Sequence, residues 1–128
     1  MNTLVFDVNE TLLDLSSLDP LFQDVFGEAL VRKEWFSQVI LDATVVTLTD
    51  NYADFATIGV SAFKLVAARR EIDVSEEDFG RVVAGMRSLP PHPEVDVQLK
   101  RLHDKGFKLV TLTNSPPAMV AAQLDNAG

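Results

Sequence analysis

The chain has 128 residues, a formal net charge of -8 and no cysteine. This length predicts one domain, and 47% hydrophobic with 23% charged residues is a composition that builds a core. The negative charge argues against nonspecific binding to nucleic acid or to an anionic membrane, since both need a basic surface. The lack of cysteine excludes disulfides, thiolate catalysis and cysteine-based zinc sites. No signal peptide and no run of ~18 apolar residues is visible, so we expect a cytoplasmic protein.

Two segments are predicted to be strands. Residues 3–6 are an uninterrupted apolar or β-branched run, which is typical of a central parallel strand. Residues 107–113 form a second run, preceded by a helical pattern over 95–102 and by Gly106 as the helix end. The polar break at residues 114–117 follows it. This order of helix, glycine, strand and turn is half of a βαβ unit.

A helical insertion is predicted between the strands. Ser75 before three acidic residues is expected to begin one of its helices, and the proline-rich residues 89–93 are expected to be a linker. We therefore predict an α/β protein whose partial Rossmann-like core, residues 1–14 and 89–128, carries parallel strands and an inserted helical cap, residues 15–88. Four apolar stripes at helical spacing support the cap, over residues 21–30, 35–43, 55–66 and 79–86.

Polar side chains follow both predicted strands. Asp7 ends the first, and Thr113, Asn114 and Ser115 end the second. Parallel strands place ligands at their carboxyl ends, so these side chains are expected to converge. The alternatives are local: Asp7 in an Asx-turn or helix cap, and Asn114 or Ser115 capping the last helix. Asp14 and Asp19 are interpreted as turn or cap residues.

Residues 6–12 (FDVNETL) and 109–115 (LVTLTNS) resemble the first two motifs of the haloacid dehalogenase (HAD) superfamily. The pattern is most similar to its L-specific, type II 2-haloacid dehalogenases, because the helical insertion follows the first strand directly and Arg32 precedes aromatic residues. The resemblance covers essentially the whole chain. It implies a HAD-like core and a hydrolase of short 2-haloalkanoic acids that works without a metal or other cofactor.

Asn9 departs from the pattern of the superfamily's phosphatases, which have an aspartate there to protonate the leaving alcohol. An amide cannot transfer that proton at neutral pH, whereas a halide leaves without one. The neighbouring Glu10 is expected to point elsewhere. Asn9 therefore favours a dehalogenase over the alternative of a magnesium-dependent phosphatase.

The resemblance implies that Asp7 attacks the substrate carbon and forms an ester that water then cleaves. It implies that Thr11 braces the Asp7 loop and that Arg32 and Asn114 hold the departing halide. A guanidinium suits such an anion. The alternative for Arg32 is a solvated surface residue, because Lys33 beside it has that character.

The substrate carboxylate is implied to bind the Thr113 hydroxyl and the backbone amides of Val8 and Asn9. Trp35 and Phe36 are candidates for the wall of the halide pocket, although packing within the cap is the favoured interpretation of both.

The resemblance also implies a lysine after the second motif, which pairs with the nucleophile, and a later polar or acidic loop, which positions the water. The last lysine is Lys108, inside the second strand. We therefore expect the chain alone to be inactive or severely impaired, as a truncation, a fragment or a natural remnant. A truncated α/β core would expose apolar surface, so a homodimer or a swapped oligomer is expected. The non-enzymatic alternative is a HAD-like oligomerising module.

Overall fold

The computed structural model describes residues 2–128, which form two short strands and six α-helices, five of them between the strands. The elements are β1 (Thr3–Phe6), a 3-10 turn (Leu15–Leu18), α1 (Asp19–Phe26), α2 (Val31–Leu48), α3 (Phe55–Arg69), α4 (Glu76–Arg87), α5 (Val95–Asp104), β2 (Lys108–Thr111) and α6 (Pro117–Ala127). The first predicted strand is confirmed. The second lies where it was predicted but is shorter than residues 107–113.

The sheet positions the site. β1 and β2 pair in parallel, with Thr3 opposite Lys108 and Phe6 opposite Thr111. One further bond, from Leu112 N to the Phe6 carbonyl oxygen at 2.8 Å, extends the pairing beyond both strands. The carboxyl ends of the two strands therefore lie at one edge, and the predicted α/β class with parallel strands is confirmed.

Local signals in the sequence explain several helix ends. Ser75 begins α4 in a capping box: its hydroxyl accepts from Asp78 N at 3.1 Å, and its own N–H donates to Asp78 Oδ2 at 2.8 Å. Gly106 follows α5 with a φ of 84°, a left-handed conformation that favours glycine. The predicted linker residues 89–93 are not helical.

An aromatic cluster forms the core of the helical insertion (residues 15–88). Phe22 stacks on Phe26 with ring centroids 5.6 Å apart, and Phe63 meets both rings edge-on. Trp35 lies 5.3 Å from Phe22, and its Nε1 donates to the Gly59 carbonyl at 3.0 Å. The indole thus has the polar partner that a buried tryptophan needs.

Apolar side chains remain exposed on two surfaces. On α2, Leu41 and Leu48 are 56% and 80% exposed, and Asp42 is the one charged residue between positions 35 and 49. On the sheet, Val5 and Leu112 are exposed. Surfaces of this kind commonly mark contacts with other protein. Within residues 2–128, no helix is both long and apolar enough to cross a membrane.

We expect the chain to self-associate, because burying these side chains removes apolar surface from water. Sedimentation velocity over a concentration series should show a species larger than a monomer. Leu41→Glu should shift it toward monomer if α2 forms the contact, and Val5→Glu should do so if the sheet does. A single monomeric species at all concentrations would contradict the expectation.

The two glycines of α4 differ in what surrounds them. A Cβ on Gly85 would collide with the buried Leu18 side chain, whereas a Cβ on Gly80 meets nothing within 4 Å. We expect Gly85→Ala to lower the free energy of unfolding by about 1–3 kcal/mol through overpacking. Gly80→Ala should raise it by up to about 1 kcal/mol through helix propensity. Urea denaturation measures both, and equal effects of the two changes would show that α4 does not pack on the 3-10 turn as described.

Candidate active site

Asp7 lies directly after β1, at the edge where the two strands end. Its side chain is exposed, and its Oδ2 accepts a hydrogen bond from Thr11 Oγ1 at 2.9 Å. The intervening backbone turns back on itself, because Leu12 N and Leu13 N both donate to the Val8 carbonyl at 2.9 and 3.0 Å. This Asp7 turn (residues 7–13) is therefore internally bonded, and Thr11 fixes one carboxylate oxygen of Asp7.

Two consecutive backbone amides of the Asp7 turn have no hydrogen-bond acceptor among the described residues. Within residues 2–128, neither Val8 N–H nor Asn9 N–H donates a hydrogen bond, although both residues are buried. Nearly all buried amides in folded proteins are paired. Successive N–H groups of this kind form concavities that accept anions.

The Asn9 side chain is buried and committed to other protein groups. Its Nδ2 donates to Ser115 Oγ at 3.1 Å, and its Oδ1 accepts from Gln123 Nε2 at 3.1 Å. The bond to Ser115 ties the Asp7 turn to the segment after β2. Sequence reasoning missed Gln123, whose only signal was a polar residue one helical turn after Met119 in an otherwise apolar pattern.

Glu10 has a φ of 64°, a left-handed conformation that is uncommon outside glycine. Its carboxylate accepts from Leu15 N at 2.9 Å, at the start of the 3-10 turn. The Glu10 side chain thus connects the Asp7 turn to the helical insertion, in agreement with the expectation that it points elsewhere.

The segment after β2 does not cap the last helix. Pro116 precedes α6 and no side chain caps that helix, so the alternative role of Asn114 or Ser115 as a cap is wrong. Thr113 Oγ1 instead accepts from Ser115 N at 3.2 Å, which leaves the hydroxyl proton of Thr113 available. Asn114 is exposed and lines an open cleft beside Tyr52.

Arg32 is 5% exposed, so the alternative of a solvated surface arginine is wrong. It shares the inner face of α2 with Trp35 and Val39, at helical spacing. Its Nε donates to Asp19 Oδ1 at 2.5 Å. Asp19 is the C-cap of the 3-10 turn, in agreement with its interpretation as a turn or cap residue, and its side chain is in addition an ion-pair partner in the first turn of α1. Within the described chain, the two Nη groups of Arg32 make no hydrogen bond to protein.

Residues 90–92, which follow the helical insertion, pair with the Asp7 turn and with Asp14. Asp14 N donates to the Pro90 carbonyl at 2.8 Å, and His92 N donates to the Leu12 carbonyl at 3.0 Å. His92 Nε2 also lies 3.2 Å from the Glu10 carbonyl oxygen. The segments before and after the helical insertion, residues 12–14 and 90–92, are therefore held side by side.

Asp14 caps the 3-10 turn, as its interpretation from sequence required. Hydrogen bonds from the side chain and backbone of Ser16 hold the pKa of Asp14 below its usual value, and the charges of His92 and Arg32 act in the same direction. A carboxyl group with a lowered pKa remains ionised near neutral pH, so Asp14 is unsuited to donate a proton.

An apolar cavity of about 50 Å³ lies between α2, α3, α4 and the start of α6. Trp35, Phe36, Phe55 and Met119 are among its walls, and Ser115 supplies a hydroxyl. Trp35 and Phe36, the two candidates for the wall of a halide pocket, therefore line a cavity and also pack against the apolar core. Among residues 2–128, no group of three histidine, aspartate or glutamate side chains is placed to hold a metal ion.

A family model of haloacid dehalogenase-like hydrolases matches residues 1–128. The chain belongs to the haloacid dehalogenase-like hydrolase family. The resemblance seen in its motifs is confirmed at this level, and the predicted HAD-like fold with it. No curated protein matches the chain in sequence.

Solved dehalogenases share the fold of this family member. The L-2-haloacid dehalogenase from Xanthobacter autotrophicus superposes with a TM-score of 0.90 at 23% identity, over 100% of this chain and 52% of that one. The L-2-haloacid dehalogenase RSc1362 gives 0.94 at 23% identity, over 100% and 59%. A further dehalogenase gives 0.89 at 23% identity, over 99% and 57%. The Xanthobacter enzyme has also been solved with chloropropionic acid covalently bound. The chain thus spans between half and three fifths of the length of these proteins.

Substitutions at Arg32 and at the adjacent Lys33 test how much the Arg32–Asp19 ion pair stabilises the fold. We expect Arg32→Met to lower the free energy of unfolding by about 1–3 kcal/mol, because a charged hydrogen bond is lost and Asp19 is left partly buried. Lys33→Met, at an exposed position, should change it by less than about 0.5 kcal/mol. Chemical denaturation of both variants provides the comparison. If the two changes cost the same, the Arg32–Asp19 pair is not part of the core.

Proposed function

We propose that the protein containing this chain hydrolyses the carbon–halogen bond of short 2-haloalkanoic acids, with Asp7 as the nucleophile. Family membership supports a hydrolase. The observation that carries the finer proposal is the arrangement of the Asp7 turn, in which a braced carboxylate at the carboxyl end of β1 lies next to two unpaired amides. This arrangement offers a nucleophile and an anion site within three residues.

In the first step an Asp7 oxygen attacks C2 of the substrate and the carbon–halogen bond breaks. Its electron pair leaves with the halide, and the configuration at C2 inverts. In the second step water attacks the Asp7 carbonyl carbon and releases the 2-hydroxy acid, a proton and the free carboxylate. Because Thr11 holds Oδ2, Oδ1 is the oxygen left to attack.

The substrate carboxylate binds to the amides of Val8 and Asn9 and to the Thr113 hydroxyl. The two amides have no partner within residues 2–128, and Thr113 Oγ1 uses only its acceptor function. Buried N–H groups without a partner are costly, so a carboxylate that pairs with them gains a charge-assisted bond without displacing another.

Arg32 and Asn114 hold the departing halide. Asp19 engages Nε of Arg32 and so fixes the plane of its guanidinium, which leaves the Nη groups to meet an anion. Asn114 is exposed at the cleft, where its amide N–H groups face solvent or ligand.

Asn9 favours halide over phosphate as the leaving group. Its buried amide donates to Ser115 and accepts from Gln123, and an amide has no acidic proton to transfer. The covalent chloropropionic acid complex of the Xanthobacter enzyme, which shares this fold, agrees with an ester intermediate. The magnesium-dependent phosphatase and the non-catalytic module are the competing proposals.

The test uses the full-length protein that contains this chain, since the chain spans only part of its structural relatives. We expect halide release from 2-chloropropionate, unaffected by chelators, and a loss of about 10³-fold or more in Asp7→Asn. Asp73→Asn, a change of the same kind at an exposed site, should retain activity. With enzyme in excess in heavy-oxygen water, the label should enter the Asp7 peptide before it enters the product.

Other outcomes would replace the proposal. Equal halide release by wild type and Asp7→Asn would remove Asp7 as the nucleophile. Magnesium-dependent release of phosphate from p-nitrophenyl phosphate, with no halide release, would establish the phosphatase instead.

A further inference from the structure

Gln123 on α6 joins two parts of the chain that are far apart in sequence. The side chain is fully buried, and its Nε2 donates to Asn9 Oδ1 at 3.1 Å and to the Met86 carbonyl oxygen at 2.8 Å. Met86 lies in the last turn of α4, where helix carbonyls lack an intrahelical partner. One amide nitrogen therefore caps the end of the helical insertion and fixes the Asp7 turn.

The orientation of this carboxamide is determined by its two acceptors. Turning it over would place Oε1 against the oxygen atoms of Asn9 and Met86, which is repulsive. In the observed orientation Oε1 is buried without a partner among the described residues. A fold keeps such an unpaired oxygen only where the remaining bonds of the group outweigh it.

A second carboxamide of α6 contacts the same region more weakly. Asn126, three residues after Gln123, donates to the Leu89 carbonyl at 3.4 Å from an exposed position. Helix α6 thus presents two amides to residues 86–89, but only Gln123 also reaches the Asp7 turn.

We propose that Gln123 is a positioning residue that couples the C-terminal end of α4 and the residues just after it, 86–89, to the Asp7 turn. If the end of α4 moves away, the shared nitrogen must leave either Met86 or Asn9. Loss of the Asn9 bond removes one of the two side-chain bonds that anchor this part of the turn and leaves only the bond to Ser115, so the backbone amides of Val8 and Asn9 are held less firmly. The kinetic consequence rests on the proposed function, whereas the structural coupling does not.

Hydrogen exchange tests the coupling without any assay of activity. In Gln123→Met, which keeps the length of the side chain but removes the donor, amide exchange should rise about tenfold or more in residues 8–13 and also in residues 86–89, which among the described residues make no direct backbone hydrogen bond to the turn. Asn126→Ala, the control on the same helix, should leave both segments unchanged. A rise in only one of the two segments, or in neither, would overturn the proposal.

Asn9→Ser provides an independent arm if Gln123→Met fails to fold. Among the described residues, Asn9 is joined to residues 86–89 by hydrogen bonds only through Gln123, so coupling requires faster exchange in residues 86–89 when Asn9 is changed. Unchanged exchange in residues 86–89 would reject it.

Kinetics of the full-length protein distinguish positioning from simple loss of folded enzyme. Misplaced amides should raise the KM for 2-chloropropionate about tenfold in Gln123→Met, whereas a smaller folded fraction would lower only the apparent kcat. If exchange rises in both segments but the KM is unchanged, Gln123 stabilises the fold only and its role as a positioning residue is rejected. If wild type releases no halide, the proposed function fails while the exchange experiment still decides the coupling.

Discussion

The parallel pairing of β1 with β2 is the constraint on which the candidate site depends. Thr3 lies opposite Lys108, so more than 100 residues separate the two partners in the chain. In-register pairing places Asp7 and the segment after Thr111 at one sheet edge, and a slip of one residue would send their side chains to the other face. The pairing of Leu13 with Pro91 keeps the two ends of the helical insertion adjacent, so the insertion does not separate the strands.

Burial of the residue at position 9 links the stability of the fold to its chemistry. A carboxylate there would have to lose its hydration, which is costly unless it is well paired. The neutral amide of Asn9 instead donates to Ser115 and accepts from Gln123 without a charge. Asparagine in place of aspartate at position 9 makes this network possible. It also removes the proton donor that a poor leaving group needs. Packing as well as the motif therefore supports the proposed reaction, in which the leaving group needs no proton.

Features set by nearby residues were predictable from the sequence, as was the common edge at which the two strands end, whereas individual pairs of side chains distant in sequence were not. The strand at 3–6, the caps at Asp14 and Ser75 and the proline linker each follow from a few neighbouring residues. Arg32 with Asp19 and Asn9 with Gln123 depend on tertiary packing, and no local pattern reports such partners. The second strand ends at Thr111 because its partner β1 ends opposite it at Phe6, although the apolar pattern continues. The left-handed backbone of Glu10 had no signal, since glutamate does not favour it.

The Arg32–Asp19 pair bears on how an anion would be held in the proposed reaction. The two opposite charges nearly cancel at a distance, so this site adds little to the field of a chain with net charge -8. Attraction to an anion then depends on short-range hydrogen bonds from the Nη groups, which Asp19 orients by holding Nε. An arginine without a carboxylate partner would bind halide more tightly and release it more slowly. A partly neutralised guanidinium suits a reaction in which the halide must be drawn from carbon and then leave.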